Sequence, residues 1–349
     1  MAFGFYSAVT IDHTKCGSSD SSNFPVVFNT TDNRFKTVGN GGHVQNSSGF
    51  DIRPYSDSAL TTALTYELER YNGTTGEVVM WVKIGTVSHT ADTVFYMAYD
   101  NTSLTTDGSS GSGTFSNSFI SVYHLKDGTT LSVADSTGSH NGTNNNTVTA
   151  TTGQIDGGAG FVSASNQYID TAAYSGPTAC TLSAWVKATS FPNSYNDVCG
   201  WNSGNSAYYL LMVKSTGKLA YLCNLSGITQ DGTGTNTLSS GTWYYLAMAY
   251  DSTNGLACYV NGSSDVTHAA NGTLSNPSIP FNIGRDQVNS GRNWNGTMDE
   301  VRSSSVKRTT DWILTEYNNQ NSPSTFYTLG TEQTAGGGAN TTNFFYLFK

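Results

Sequence analysis

Two glutamates two positions apart in the segment LTYELERY are the residues of this sequence best placed to do chemistry. On a β-strand, Glu67 and Glu69 point to the same face, because side chains alternate between the two sides of a strand. Retaining glycosidases need two carboxyl groups about 5 to 5.5 Å apart, and neighbours at i and i+2 can approach that separation. The alternation with Tyr66, Leu68 and Arg70 is also typical of a half-buried antiparallel strand that has no catalytic role. A polysaccharide-cleaving glycosidase is therefore kept as an alternative.

A second group of side chains suits recognition rather than reaction. Sugars stack their apolar faces on tryptophan and tyrosine rings, and polar neighbours then bind the hydroxyl groups. Aromatic residues in predicted loops are the best candidates, because a strand aromatic such as Trp185 or Trp243 more often belongs to a core. The segments SFPNSYNDVCGWNSGN and GRNWNGT supply these loop residues. The predicted ligand-binding residues are Tyr195, Asn196, Asp197, Trp201, Arg292 and Trp294.

Motifs and charge exclude several other kinds of chemistry. The sequence has no G-x-S-x-G, H-E-x-x-H or P-loop pattern, its six histidines occur singly, and its five cysteines form no C-x-x-C pair. With 16 basic against 25 acidic residues the net charge is −9, so nucleic acid is not a predicted partner. The closest basic cluster, Lys307 and Arg308, is interpreted as solvated surface. We predict no catalytic residues and no enzyme activity.

No part of the sequence predicts a membrane segment. No stretch approaches the roughly 18 apolar residues of a membrane span. The start, MAFGFYSAVTID, has neither the basic region nor the apolar run of a signal peptide. We therefore expect synthesis in a host cytoplasm without a secretion signal.

The elements that position these residues are short β-strands joined by tight turns. Only 12% of residues are charged, and the polar positions are filled by Gly (37 residues), Ser, Thr and Asn. Gly and Asn accept the positive φ angles that hairpin turns require. Strand-like runs such as FPVVFN, EVVMWVKI, CTLSAWVKA and WYYLAMAYD recur without helix-length segments between them, which predicts β-sandwiches. One helical turn is predicted at TTDWILTEYNN, with Thr310 as its N-cap.

The length of 349 residues predicts two domains, since single cores rarely grow past roughly 250 to 300 residues. Residues 1–103 are predicted to form one β-sandwich and residues 118–330 a second, with a Gly/Ser-rich linker over 104–117. Residues 331–349 are a Gly-rich hinge and an aromatic C-terminal tail that ends in NFFYLFK. We expect this tail either to pack on its own chain or to add a strand to a neighbouring subunit or partner.

Two families become recognisable from these segments. Residues 119–330 resemble a laminin-G-like, concanavalin A-like jelly roll, on the ordered strings VYHLKDGTTLSVADSTGSHNGT, TLSAWVKATSF, GTWYYLAMAYDSTNGLACYVNG and NGTMDEVRSSSVKRTTDWILTEYNNQ. Residues 5–102 resemble the domain of unknown function family 2341, on YSAVTIDHTKC, FDIRPYSDS, LTYELERYNGTTGEVVMWVKI and DTVFYMAYDN. The resemblance implies recognition of carbohydrate or protein, and it implies no reaction.

The resemblance also implies calcium, because laminin-G-like domains commonly hold a structural calcium ion. In the family such an ion ties the entry segment to the strand with the Asp-Glu step, which here are ADSTGSHNG and TMDEV. The implied metal ligands are Asp135, Asn141, Asp299 and Glu300. The alternative for Asp299 is a buried carboxylate that accepts hydrogen bonds from loop amides.

The sequence thus predicts an all-β chain of two β-sandwich domains in series, the second a concanavalin A-like, laminin-G-like jelly roll. The predicted function is a non-enzymatic virion surface protein, either a fibre, a tail or a capsid-decorating component, with a carbohydrate-binding-type domain for attachment. A cell-surface or secreted adhesin module is the first alternative and the glycosidase is the second. The predicted partners are a glycan, other virion or cell-surface proteins, and further copies of the chain.

Overall fold

The computed structural model describes residues 3–126, 130–204, 208–269, 272–275 and 278–336. Strands dominate this part of the chain, and the predicted all-β class with two β-sandwiches is confirmed. The first domain contains the strands β1 Phe5–Ile11, β2 Ser21–Thr31, β3 Arg53–Tyr55, β4 Tyr66–Asn72, β5 Glu77–Val87 and β6 Thr93–Tyr99.

The second domain supplies most of the remaining strands. They are β7 Phe119–Tyr123, β8 Gly142–Asn145, β9 Thr149–Thr152, β10 Gly157–Phe161, β11 Tyr168–Thr171, β12 Tyr174–Ser175, β13 Cys180–Ala188, β14 Tyr195–Asn202, β15 Tyr208–Lys214, β16 Lys218–Leu225, β17 Ile228–Thr237, β18 Tyr244–Asp251, β19 Gly255–Val260, β20 Ser263–His268, β21 Ser278–Ile279, β22 Asn282–Ile283 and β23 Gly296–Ser304. The last strand is β24 Tyr327–Thr334, and the helices are α1 Gly111–Thr114, α2 Thr310–Asn321 and α3 Pro323–Phe326.

Two antiparallel sheets form the first domain. One has the order β24-β1-β6-β3 and the other β2-β5-β4. Strand β24 pairs with β1 along its length, although more than 300 residues separate the two strands in sequence. The boundary drawn at residue 330 therefore needs correction, because Tyr327–Thr334 completes the sheet of the first domain.

Two larger sheets face each other in the second domain. The strand order of one is β20-β19-β18-β13-β23-β10-β9, with β7 also paired to β23, and that of the other is β17-β16-β15-β14-β22-β11-β8. Their inner faces bury one continuous apolar core that includes Leu182, Leu211, Tyr221 and Met248. Such aligned packing of two antiparallel sheets is the β-sandwich arrangement.

Several strands are buried on both faces, because the two domains pack against each other. In β5, Val78, Met80 and Val82 point into the first domain, whereas Val79 and Trp81 contact Val122 and Ile155 of the second. This explains why EVVMWVKI reads as a nearly continuous apolar run rather than as an alternating one. We call this contact region, between β4–β5 and β7–β23, the seam.

Helix α2 also joins the domains. It is longer than the single turn predicted from the sequence, and Thr309 rather than Thr310 is its N-cap, with the Thr309 hydroxyl accepting from the Trp312 amide. Trp312 packs on Phe24 of the first domain at a ring-centroid distance of 4.7 Å. On the other side, Tyr317 packs against Trp185 of the second domain. The helix therefore fills the space between the two sandwiches.

The segment predicted as a linker, 104–117, is partly folded against the first domain. It contains α1, and the Ser110 amide donates to the Tyr66 carbonyl oxygen. Phe115 is buried with its ring 5.8 Å from that of Trp81. The aromatic C-terminal tail lies outside the described residues. Within the described residues, no helix has both the length and the apolar character needed to cross a membrane.

Candidate functional site

The two tryptophans predicted to bind ligand belong to the core of the second domain. Trp294 is fully buried and Trp201 is 4% exposed. Trp201 packs on Phe281, and Trp294 packs edge-to-face on Phe191. The expectation that their rings are open to a sugar therefore needs correction, because a buried ring has no free face. The Asn and Gly residues around both tryptophans are typical of turns, so no local pattern indicates that the two side chains point inward.

The other four predicted ligand residues lie together at the start of β14 and in the loop before β23. Tyr195 is flanked by the Arg292 guanidinium, 4.9 Å from its ring centroid. The Arg292 guanidinium also forms an ion pair with Asp286 at 3.1 Å. Asn196 is buried and bonded to backbone groups, so its role is structural.

Asp197 has no solvent contact, and neither of its carboxyl oxygens has a hydrogen-bond partner among the described residues. Burial, with a smaller contribution from Asp286, raises the pKa of Asp197 well above its usual range, which favours the neutral acid. Of this group, Tyr195 and Arg292 keep partial exposure.

The predicted calcium ligands do not form one oxygen cage. Asp135 accepts hydrogen bonds from the amides of Val122, Thr137 and His140, while the Asn141 side-chain oxygen accepts from the Asp135 amide. These oxygens organise a turn, and the residues present do not fit a calcium site that calls for six to eight free oxygen ligands.

Asp299 and Glu300 point to different surroundings. One Asp299 oxygen accepts from the amides of Gln154 and Ile155 at 2.8 and 3.0 Å, as in the alternative considered for this residue. Burial, followed by the charge of Glu300, raises the pKa of Asp299 well above its usual range. Glu300 instead reaches the seam, where its Oε1 lies 2.7 Å from His124 Nδ1.

His124 is the centre of a buried polar cluster at the seam, which we call the His124 cluster and define as Glu67, Glu69, His124 and Glu300. Glu69 Oε2 lies 3.6 Å from His124 Nδ1, and Glu67 Oε2 lies 3.5 Å from Nε2. The same-face expectation for the two glutamates thus agrees with their shared contact to one histidine. Two carboxylates come from the first domain, and the third comes with the histidine from the second.

Irregular backbone geometry orients the side chains of Glu69 and Glu300. Strand β4 has a bulge between Leu68 and Arg70, and the β13–β23 pairing shifts register between Ser183 and Trp185, opposite Glu300. Glu300 itself has a φ of 51°, in the left-handed region that non-glycine residues seldom adopt. Bulges re-aim side chains at such places, at some cost in backbone energy.

Arg302 and Trp81 complete the surroundings of the cluster. The Arg302 guanidinium donates to Glu300 Oε2 at 2.6 Å and to Glu316 Oε1 of α2 at 2.6 Å. It also lies over the Trp81 ring at 4.3 Å, while Trp81 Nε1 donates to Glu69 Oε2 at 2.7 Å. Buried charges are tolerated when paired and hydrogen-bonded in this way.

Each member of the cluster is electrostatically perturbed. Burial opposes the charge of His124, but Glu300, Glu69 and Glu67 outweigh it and raise the pKa of the imidazole well above its usual range. Burial raises the pKa of Glu69 to about 7. For Glu67 and Glu300 burial is outweighed, chiefly by His124, and their pKa values lie below the usual range.

A cavity of about 260 Å³ opens onto one side of the cluster. Glu67 and His124 line it together with Lys126 and Ser136, and the Ser136 hydroxyl donates to Glu67 Oε1 at 2.9 Å. Sequence reasoning missed His124, Arg302 and Ser136. The strings VYHLKD and MDEVRS contain the first two, but no local pattern shows that they meet Glu67 and Glu69 across the seam.

A larger groove of about 580 Å³ lies beside β19, β20 and the first turn of α2. Tyr259, Ser264, Thr267 and His268 line one part of it, and Lys307 lines another. The Lys307 ammonium donates to the carbonyls of Asn254 and Gly255, both at 2.8 Å.

The interpretation of the basic pair Lys307 and Arg308 as solvated surface needs correction. Arg308 is 6% exposed and its guanidinium lies 4.2 Å from the Trp312 ring centroid. A guanidinium can be buried here because its flat faces pack on aromatic rings.

Comparison with known families finds one match in each domain region. Residues 156–314 match the laminin-G-type model of the concanavalin A-like lectin/glucanases superfamily, and residues 48–132 match the domain of unknown function family 2341. No curated protein sequence matches the chain.

Among solved structures, domain 4 of AbnA, a GH43 extracellular arabinanase from Geobacillus stearothermophilus, is 18% identical with a TM-score of 0.48 and covers 57% of this chain and 98% of its own. The botulinum neurotoxin serotype D binding domain is 13% identical with a TM-score of 0.45 and covers 58% of this chain. This chain spans 52% of that domain's length. A heptameric SAP-like pentraxin from Limulus polyphemus is 17% identical with a TM-score of 0.34, over 42% of this chain and 73% of its own.

The two family matches agree with the two resemblances seen in the sequence. The second domain is therefore a concanavalin A-like jelly roll whose residues 156–314 are similar to the laminin-G type, and residues 48–132 before it are similar to the domain of unknown function family 2341.

Proposed function

We propose that this chain is a non-enzymatic virion surface protein, a fibre, tail or capsid-decorating component, that attaches to glycans through its concanavalin A-like domain. The superfamily match gives the type of domain. The groove beside β19 and β20 carries the proposal for the binding surface. A cell-surface or secreted adhesin module is the alternative setting for the same binding activity.

The groove has the size and lining that a short glycan needs. Its volume of about 580 Å³ lies within the range of about 300 to 1,000 Å³ typical of small-molecule sites. Ser264 and Thr267 offer hydroxyl groups, and His268 and Lys307 offer nitrogen donors, beside the exposed apolar side chain of Ala269. This mixture matches a sugar, which presents both hydroxyl groups and C–H faces.

The surroundings of the acidic pair argue against catalysis at the seam. A retaining glycosidase needs both carboxyl groups at the substrate. Glu67 lines the smaller cavity, but Glu69 is buried, is hydrogen-bonded to Trp81 and is not among the residues that line that cavity. In the groove itself, the Asp251 carboxylate accepts hydrogen bonds from the Thr253 and Asn254 amides of its own turn.

The first test is a glycan array probed with the full-length chain on multivalent beads, because weak single sites need avidity to be detected. The full chain is required since β24, which follows the second domain in sequence, completes the sheet of the first domain, and α2 packs against both domains. We expect binding to a defined sugar class. Neither calcium nor a chelator should change this binding, because the side-chain oxygens of Asp135 and Asn141 already accept hydrogen bonds from backbone amides. Absence of binding in both buffers would contradict the glycan role.

The setting and the glycosidase alternative have separate tests. Antibody labelling of purified particles is expected to place the chain at the virion surface, whereas labelling of cells alone would favour the adhesin. Light scattering is expected to show a multimer, and a monomer would count against the attachment role. Reducing ends released from a polysaccharide by the full chain, and lost in Glu67→Gln, would establish the glycosidase instead.

A further inference from the structure

The His124 cluster has the composition and spacing of a transition-metal site. Among the described residues, one ligand atom each of Glu69, His124 and Glu300 lie within 4.8 Å of one another, and all three residues are buried. His124 Nδ1 is 2.7 Å from Glu300 Oε1 and 3.6 Å from Glu69 Oε2. Two ligand atoms bound at about 2.0 to 2.2 Å to one tetrahedral ion lie about 3.4 Å apart, a separation that the 3.6 Å pair matches, whereas the 2.7 Å pair is a hydrogen bond that an ion would have to replace.

Two buried carboxylate oxygens at this place have no hydrogen-bond partner among the described residues. One is Oε1 of Glu69, whose residue is 7% exposed, and the other is Oδ1 of Asp299, whose residue is 1% exposed. Glu69 and Asp299 are close enough for the charge of Glu69 to act on Asp299. Buried polar atoms are nearly always satisfied, so the unpartnered Oε1 of Glu69 leaves room for a cation on a carboxyl group whose other oxygen lies 3.6 Å from His124 Nδ1.

The contacts around the three residues are those that orient metal ligands. A ligating histidine usually gives its second ring N–H to a carboxylate, and here Nε2 of His124 faces Glu67 Oε2 at 3.5 Å. Arg302 binds the Glu300 oxygen that does not face His124, and Trp81 fixes Glu69. The cavity lined by Glu67 and His124 gives an approach from the surface.

We propose that Glu69, His124 and Glu300 bind one divalent transition-metal ion of the Zn²⁺ type, which joins the two domains across the seam. One nitrogen and two carboxylate ligands suit Zn²⁺ rather than calcium, which takes six to eight oxygen ligands. Because Glu69 belongs to the first domain and His124 and Glu300 to the second, binding stabilises their contact.

The test uses the full-length chain after treatment with a chelator, titrated with Zn²⁺ alone in a calorimeter and by thermal unfolding. We expect one tight site per chain and a melting temperature that rises with Zn²⁺ concentration. Glu69→Gln keeps the shape of the side chain and an acceptor for Trp81, and should weaken Zn²⁺ binding at least 10-fold. Circular dichroism of this variant is the check that it folds as the parent chain does.

The matched control lies at the surface. Asp12, His13 and Asp92 form the other such cluster among the described residues, and it is exposed at Asp92. His13→Gln should leave the tight site and the gain in melting temperature unchanged. The proposal is overturned if the parent chain binds no Zn²⁺, if Glu69→Gln binds it as tightly as the parent, or if His13→Gln alone abolishes binding.

Discussion

Charged side chains are buried in ion pairs at the seam, whereas the Lys307 side chain at the groove is partly exposed. At the seam, Arg302 is 1% exposed and lies between the buried carboxylates of Glu300 and Glu316. At the groove, the Lys307 ammonium is satisfied by two carbonyl oxygens, and Ser264 and Thr267 remain exposed. Several of the few charged residues of the chain thus form contacts between its domains, whereas small polar side chains are exposed at the surface of the groove.

This difference separates stability from recognition. Removal of one partner of a buried ion pair lowers the free energy of unfolding by several kcal/mol, because the other charge is left without compensation in a low-dielectric site. Exposed polar side chains contribute little to stability, and substitutions there usually change it by less than about 0.5 kcal/mol. Substitutions at the seam should therefore act on folding, and substitutions at the groove on binding.

Arg302→Met tests the seam with the largest expected effect. Methionine keeps much of the volume but leaves Glu300 and Glu316 without their shared cation and removes the contact with the Trp81 ring. We expect the free energy of unfolding to fall by about 3–5 kcal/mol, measured by urea denaturation.

The control is Arg285→Met. Arg285 pairs with Asp170 at 3.1 Å, with both side chains 22% exposed, so we expect a loss of about 1 kcal/mol or less. Equal losses from the two variants would show that the seam charges are not special and would break the comparison.

The fold class and the two family resemblances could be predicted because they depend on local signals. Turn residues and short apolar runs recur along the chain, and the i, i+2 spacing in LTYELERY predicted that Glu67 and Glu69 share a face. Both do contact His124, although the bulge at Glu69 was not predicted. The pairing of β24 with β1 could not be predicted, because no local pattern records a contact between strands more than 300 residues apart.

The candidate site was predictable only in part, for the same physical reason. Glu300 was singled out, but its partners Arg302 and His124 are defined by how two domains pack. The tryptophans show the converse error. Trp201 and Trp294 lie among Asn and Gly residues typical of loops, yet tertiary packing turns both rings into the core.

Tyr245→Phe removes a single hydrogen bond to Glu316 of α2, and its expected effect on the free energy of unfolding is intermediate. The buried Tyr245 hydroxyl donates to Glu316 Oε2 at 2.8 Å. Removing a bond to a charged buried acceptor should lower the free energy of unfolding by about 1.5–3 kcal/mol.

Its neighbour Tyr244 provides the matched control. The Tyr244 hydroxyl accepts from the Ser239 amide at 3.2 Å at an exposed position. Tyr244→Phe should cost only about 0.5 kcal/mol. A cost for Tyr245→Phe no larger than this would mean that the buried hydrogen bond contributes no more to stability than an exposed one, and it would weaken the contrast between seam and groove.

Ser264→Trp tests the groove and should have the smallest effect on stability. Ser264 is exposed and lines the groove, so an indole at this position fills the space that a sugar would occupy. We expect the free energy of unfolding to change by less than about 0.5 kcal/mol. Glycan binding on the array should fall at least about 10-fold, which corresponds to about 1.4 kcal/mol of binding free energy.

Ser263→Trp is the control, because Ser263 is also an exposed serine on the same strand and is not among the residues that line the groove. If Ser263→Trp keeps glycan binding and Ser264→Trp loses it, the binding surface is the groove. If both variants bind as the parent does, a glycan site lies elsewhere on the second domain, with the partly exposed Tyr195 and Arg292 as the next residues to substitute. In that case the groove is only a consequence of how α2 meets β19 and β20, and recognition has no connection with the elements that hold the domains together.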